Sequence, residues 1–169
     1  HGIQQSVSVT SGTTYTVSVY AKPNGRGLLR MGSGLYGVFD LAAGTVQHTD
    51  AGITAQIVPV GGGYYRCSVT QTVDTTGTYA WILRMQSSTS EWPGSGIYTG
   101  DGLSGLFVTG VQLEAGPFAT SYIPTTTAAA TRAAESCFDL TIADWFNPLE
   151  GTLVVVAATF DLSANRGLY

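Results

Sequence analysis

Hydrophobic and polar positions alternate with a period of two through most of the chain between Ile3 and Leu113. Ile3, Val7 and Val9 alternate with Gln4, Ser6 and Ser8, the pattern of a half-buried strand. Ser11-Gly12 turns the chain. Tyr15, Val17, Val19 and Ala21 then share one face of a second strand, with Thr14, Thr16, Ser18 and Tyr20 on the other. The pair reads as a hairpin or as a crossover between sheets. Pro23-Asn24-Gly25 is a turn signal, because Pro presets φ and Asn-Gly tolerates positive φ. Leu28 to Met31 and Tyr36 to Leu41 are further strands, parted by Gly32-Ser33-Gly34, and Ala43-Gly44-Thr45 is a tight turn before Val46. Thr54 to Val60 is a strand whose Pro59 marks an edge position or the strand end. After Gly61-Gly62-Gly63, Tyr65, Cys67 and Val69 alternate with Tyr64, Arg66 and Ser68. From Tyr79 to Met85, the side chains of Tyr79, Trp81, Leu83 and Met85 share a face, with Ala80, Ile82 and Arg84 opposite. Leu106 to Leu113 closes the set, with Val111 and Leu113 pointing inward and Gln112 and Glu114 outward. Roughly eight strands result, enough for two packed sheets. The pattern therefore predicts an all-β, antiparallel β-sandwich with no helix longer than a turn or two.

Two stretches break the period. Gln86 to Gly102 is rich in Ser and Gly, carries Trp92-Pro93 and Asp101, and is the longest irregular segment of the first domain. Long loops in compact sandwiches are commonly functional or disordered. Ala115-Gly116-Pro117 ends the closing strand, and Phe118, Tyr122 and Ile123 are spaced to tuck the exit back against the sandwich before Pro124. Domain one is accordingly expected over residues 1–124, and a Thr/Ala-rich linker over 125–134. Beyond it, Leu153 to Phe160 is a long apolar strand. The ~35 residues from 135 onward are too few to enclose a core of their own.

Composition sharpens this picture. Only 11% of residues are charged, against 22 glycines, which favours short strands and many turns. A net charge of −4 with scattered basic residues argues against a nucleic-acid partner. No apolar run reaches the ~20 residues of a membrane helix, so no membrane insertion is expected. Cys67 falls in an alternating strand and reads as a buried thiol, and two cysteines, Cys67 and Cys137, make no metal-ligand spacing.

Candidate chemistry follows from residue types. His1 and His48 lack the context of a catalytic triad, and no nucleophile elbow is present. Glycoside hydrolysis needs two facing carboxylates, for which Glu114, Asp101, Glu91 and Asp40 are the available residues. A sandwich of this size would supply as many by chance, so the chain is not expected to be an enzyme. Sugar binding asks for less: aromatic faces to stack on pyranose rings and polar side chains for the hydroxyls. Tyr79 and Trp81 on one strand, Trp92 and Tyr98 from the long loop, and Arg84 and Gln86 as polar neighbours are the candidates, with Tyr36 and Tyr64 as lesser ones. Trp81 alternates with Leu83 and Met85, which also suits a core residue. Trp92 in a Ser/Gly loop suits a binding aromatic or a subunit contact. No cofactor is expected. A structural calcium would have Asp101 and Glu114 as weak candidates, although no Asp-x-Asp-x-Asp loop exists. Glu114 also suits a strand-end residue hydrogen-bonded to the exit turn.

Four segments carry a resemblance. These are Ser6 to Lys22, Gly63-Tyr-Tyr-Arg-Cys-Ser-Val-Thr70, Tyr98-Thr-Gly-Asp-Gly102 and, above all, Gly110-Val-Gln-Leu-Glu-Ala-Gly-Pro-Phe-Ala-Thr-Ser-Tyr-Ile-Pro124. They resemble bacteriophage virion proteins (tail fibres, receptor-binding proteins and head fibres) that contain a jelly roll similar to carbohydrate-binding modules. Phe138 to Ala157 resembles the opening of a laminin-G or concanavalin-like sandwich, so 135–169 is expected to hold its first strands. The resemblance implies further strands before His1 and a location on the virion surface, in a tail, fibre or capsid. It also implies other virion proteins as partners, assembly as a homotrimer, and attachment to host-surface glycan. A purely structural decoration module is the alternative, and a polysaccharide depolymerase the third reading.

Overall fold

The computed structural model describes residues 1–86, 99–126 and 128–131. The chain divides into two compact units, His1–Ala130 and Thr131–Tyr169. The second sandwich expected over 135–169, together with Glu91, Trp92, Tyr98 and Cys137, lies outside the described residues.

The first unit is a β-sandwich of nine described strands. These are β1 (Gly2–Val9), β2 (Thr14–Asn24), β3 (Leu28–Ser33), β4 (Leu35–Asp40), β5 (Thr45–Thr49), β6 (Ile53–Gly61), β7 (Tyr64–Thr72), β8 (Gly77–Gln86) and β9 (Gly105–Ala115). One sheet runs β1-β8-β3-β4-β5 and the other β6-β7-β2-β9, with every pairing between strands antiparallel. β1 pairs with β8 and β2 with β7. The first two strands are thus a crossover between sheets.

Alternation sets the core. Val17, Val19 and Ala21 of β2 and Cys67 and Val69 of β7 meet Leu29, Met31, Phe39, Trp81 and Leu83 of the other sheet. The ring of Tyr15 lies 6.4 Å from that of Trp81, tilted by 52°, a favourable aromatic geometry. Gly37 leaves room for the facing sheet: a Cβ there would lie 2.9 Å from Val69 Cγ2 and 3.1 Å from Ala55 Cβ.

Three local expectations change. β2 continues through Pro23, which pairs with Leu106 of β9. The β7 ladder ends at Ala21, so a missing N–H at Pro23 removes no bond to β7. Thr45–Thr49 forms a full edge strand rather than only a turn and its flank. Val111 is 44% exposed rather than inward-packed, whereas Leu113 does pack on the core. The cause is a bulge opposite Ser18 and Tyr20, where Gly110 takes φ 61°. Pro59 sits on β6, an edge strand, beside a register shift.

Candidate functional site

The exit segment shows what the two polar residues of the closing strand do. The Glu114 carboxylate accepts hydrogen bonds from the Thr120 backbone N–H (3.0 Å) and from Thr120 Oγ1. Gln112 Oε1 accepts from the Ile123 N–H at 2.8 Å. Arg66 Nη2 donates to the Thr120 carbonyl and, at 3.2 Å, to Ser18 Oγ. Thr16 Oγ1 donates to the Gly116 carbonyl at 2.8 Å. Thr16 and Ser18 lie on the outer face of the four-stranded sheet, yet they are 0% and 1% exposed. The exit is therefore tied to this face by polar bonds. Phe118 and Tyr122, expected to tuck in, are 56% and 40% exposed. This sheet face is occupied by the chain's own exit.

Of the carboxylates considered for calcium or hydrolysis, the three among the described residues, Asp101, Asp40 and Glu114, are committed to protein donors. Asp101 Oδ1 accepts from the Leu103 and Ser104 N–H groups at 3.0 and 2.8 Å, and Oδ2 from Ser104 Oγ at 2.5 Å. The Ser104 hydroxyl first, then the two backbone donors, hold its carboxyl well below the usual carboxylate range. Asp40 Oδ1 accepts from Ala42 and Ala43 N–H in the β4–β5 turn. Glu114 holds the exit. No group of three or more His, Cys, Asp or Glu side chains forms a metal cluster among the described residues.

The sugar-binding candidates separate by face. Tyr79 and Trp81 point inward. Trp81 is 3% exposed in the core, where no sugar could stack on it. Its Nε1–H has no acceptor, which marks a buried cost rather than a recognition group. Tyr79 packs against the core and its hydroxyl bonds Asp74 Oδ1 at 3.1 Å. Trp92 and Tyr98 lie outside the described residues. Arg84 and Gln86, by the same alternation, point to the outer face of the five-stranded sheet.

On that face the register brings together residues far apart in sequence. Arg84 of β8 stands opposite Arg30 of β3 and, on its other side, opposite Gly2 of β1. Gln86 stands opposite Leu28, and Gln4 of β1 opposite Ile82. Directly opposed side chains have Cβ atoms about 5 Å apart. The Arg30 guanidinium lies 3.8 Å from the centre of the Tyr36 ring, a stacked plate. Burial first, and also the Arg84 charge, lower the Arg30 pKa against the opposing pull of Tyr36 and Asp50. Asp50 closes the β5 side: Oδ2 accepts from the Tyr36 N–H at 2.8 Å and Oδ1 contacts His48 Nε2 at 3.0 Å. Gln86 is 3% exposed and its Oε1 has no donor. The face carries an arginine–tyrosine plate, a second arginine, two carboxamides and a small position at Gly2, but it is buried at Val38, opposite Arg30 and 2% exposed, and at Gln86.

Sequence reasoning found Arg84 and Gln86 but missed Arg30 and Gln4. Arg30 had a signal, since a charged residue between Leu29 and Met31 must face away from the core. Its neighbour across the sheet had none. No protein-family model matches the chain, and no curated protein matches it.

Proposed function

We propose that the first unit is an attachment module that contacts saccharide through the outer face of its five-stranded sheet, carried on a virion structural protein. The observation that supports this most is the Arg30–Tyr36 plate on the same sheet face as Arg84. Flat π-faced groups pack on sugar C–H surfaces, while guanidinium and carboxamide groups bond the hydroxyls. The opposite sheet is taken up by the exit segment, whereas Arg30, Tyr36 and Arg84 on this face are part-exposed. The virion setting comes from the resemblance of Gly110 to Pro124 to phage fibre modules, which also implies a homotrimer and attachment to host glycan.

The test is a glycan-array comparison of the intact chain with an Arg84→Ala, Tyr36→Ala double variant whose folding and assembly state are checked by circular dichroism and light scattering. Selective binding that the variant loses is the expected result. No binding by the intact chain contradicts the reading.

A second reading, an assembly module without sugar binding, has its own observation. β6 packs over β4 and β5, so β9 and β1 are the end strands on the opposite side. There Ile3 and Val108, the partners of core Leu83 and Ala21, are 55% and 41% exposed. Among the described residues β1 and β9 each pair with one strand, and an outer edge of that kind is where another strand can add.

A further inference from the structure

The Pro23-Asn24-Gly25 signal has no part in the saccharide reading, and its chemistry is independent of it. An asparagine carboxamide can be attacked by the backbone nitrogen of the next residue, closing a five-membered ring at Cγ. A side chain on that next residue hinders the closure, and glycine has none. Asn24 is the only asparagine among the described residues.

The fold leaves this pair accessible. β2 runs through Pro23 and ends at Asn24. Its ladder to β7 stops at Ala21, so Asn24 is paired on one side only, with Gly105 of β9. Gly105 brings no side chain across to cover the carboxamide. Asn24 and Gly25 are both exposed, and the carboxamide makes no hydrogen bond to a described residue. Gly25 then leaves the strand at φ 76°, a conformation that suits glycine. A strand end opens locally at little cost. Rotation about ψ of Asn24 can therefore bring the Gly25 nitrogen against Cγ.

Asp101-Gly102 has the same spacing and a different state. The Asp101 oxygens accept from the Leu103 and Ser104 N–H groups and from the Ser104 hydroxyl. An ionised, bonded carboxylate is a poor electrophile, whereas the Asn24 carboxamide is neutral and unbonded.

We propose that Asn24 is a self-modification site. The Gly25 nitrogen attacks Asn24 Cγ. The N–Cγ bond forms, the Cγ–Nδ2 bond breaks, the Gly25 N–H proton passes to solvent base, and the amide nitrogen leaves as ammonia. Water then opens the ring. Addition at Cγ gives aspartate at position 24, and addition at the backbone carbonyl carbon gives an iso-aspartyl link. One water is consumed for each ammonia released, and no oxidant or reductant is needed.

The product changes the local structure. A Cβ on Gly25 would lie 2.7 Å from Ser104 Cβ, so this turn sits closely on the 101–104 loop. An iso-aspartyl link adds one backbone atom, about 1.5 Å, ahead of Gly25. Gly25 then loses either its seat on Ser104 or its bridge to Gly105. The β2–β9 end loosens at Gly105 and Leu106, and the β7 ladder stays intact.

Peptide mapping of the full chain, incubated at mildly alkaline pH both folded and in urea, tests this. Conversion at position 24 in the folded chain is expected at a rate within about tenfold of that in urea, the small opening cost of a strand end. Asn24→Gln, which would have to close a six-membered ring, is expected to stay unconverted over the same period. The iso-aspartyl product should show shifted amides at Ser104, Gly105 and Leu106 and a lower melting temperature. Asn24→Asp, which carries the charge without the extra backbone atom, should melt with the unmodified chain. Conversion in urea while position 24 of the folded chain stays intact overturns the proposal, because the fold then protects the pair. An iso-aspartyl product with unmoved amides and an unchanged melting temperature overturns the loosening of the β2–β9 end.

Discussion

Glu114→Ala is the sharpest structural perturbation. Glu114 receives two hydrogen bonds from one residue, the Thr120 N–H and hydroxyl, and Thr120 in turn returns its carbonyl to Arg66. Hydrogen bonds to a charged acceptor are worth about 1.5–3 kcal/mol each when fully formed. Both are part-buried, so water recovers some of this, and a total near 2 kcal/mol is expected for the alanine variant. For a unit of this size that corresponds to a fall in Tm of roughly 6–10 °C. Glu114→Gln should lose about half as much, because its carbonyl oxygen still accepts from the Thr120 N–H. Urea unfolding gives the global effect, and amide exchange locates it. The Thr120 and Ile123 amides should lose protection in the alanine variant, as the exit lifts from Thr16 and Ser18, while the β7 amides fall only by the global difference. An unchanged urea midpoint with full protection at Thr120 and Ile123 would refute the view that this carboxylate holds the exit.

Gly37→Ala should cost about 1–3 kcal/mol by overpacking, because the new methyl meets Val69 and Ala55 at the sheet–sheet contact. Chemical denaturation measures this. Burial pushes the Cys67 thiol pKa up to about 12. Iodoacetamide at pH 9 should therefore leave Cys67 unlabelled in the folded protein and label it in urea, as peptide mass mapping would show. Because the unfolded thiol ionises near pH 8.5, this group favours the fold fully below that pH and progressively less as pH rises toward 12. The Asp101 turn has the opposite sign. Its lowered carboxyl pKa stabilises the turn above the ordinary carboxylate range, and that contribution is lost only as pH falls through the lower folded value. Leu103 and Ser104 amides should stay hydrogen-bonded at pH 4 by NMR temperature coefficients, and lose that signature in Asp101→Asn.

Much of the sandwich was legible because alternation reports which side of a strand is buried. The same arithmetic that put Val17, Val19 and Ala21 inside put Trp81 inside with Leu83, and Arg84 and Gln86 outside. The polar role of Glu114 followed from its place at a strand end before Gly116-Pro117. What alternation does not encode is register. Arg30 and Arg84 become neighbours only once β3 pairs with β8, and that choice is made by the packing of two whole sheets. The bulge at Gly110 shows the same limit on a smaller scale. One extra residue in β9 moved Val111 from an inward position to an exposed one, and only the paired strand reveals it. The exit was read as apolar from Phe118 and Tyr122. Polar bonds from Glu114, Gln112 and Arg66 hold it instead, and of these only the one from Arg66 joins residues distant in sequence.

The most direct test of the central claim is a 1H–15N NMR titration of the full chain with the tightest ligand from the glycan array. The account predicts shift changes confined to the outer face of the five-stranded sheet, at Gly2, Gln4, Arg30, Tyr36, Arg84 and Gln86, with β7 and the exit unmoved. Perturbations centred on the exposed seam at Ile3, Val108 and Val111, or on the outer face of the four-stranded sheet, would contradict it.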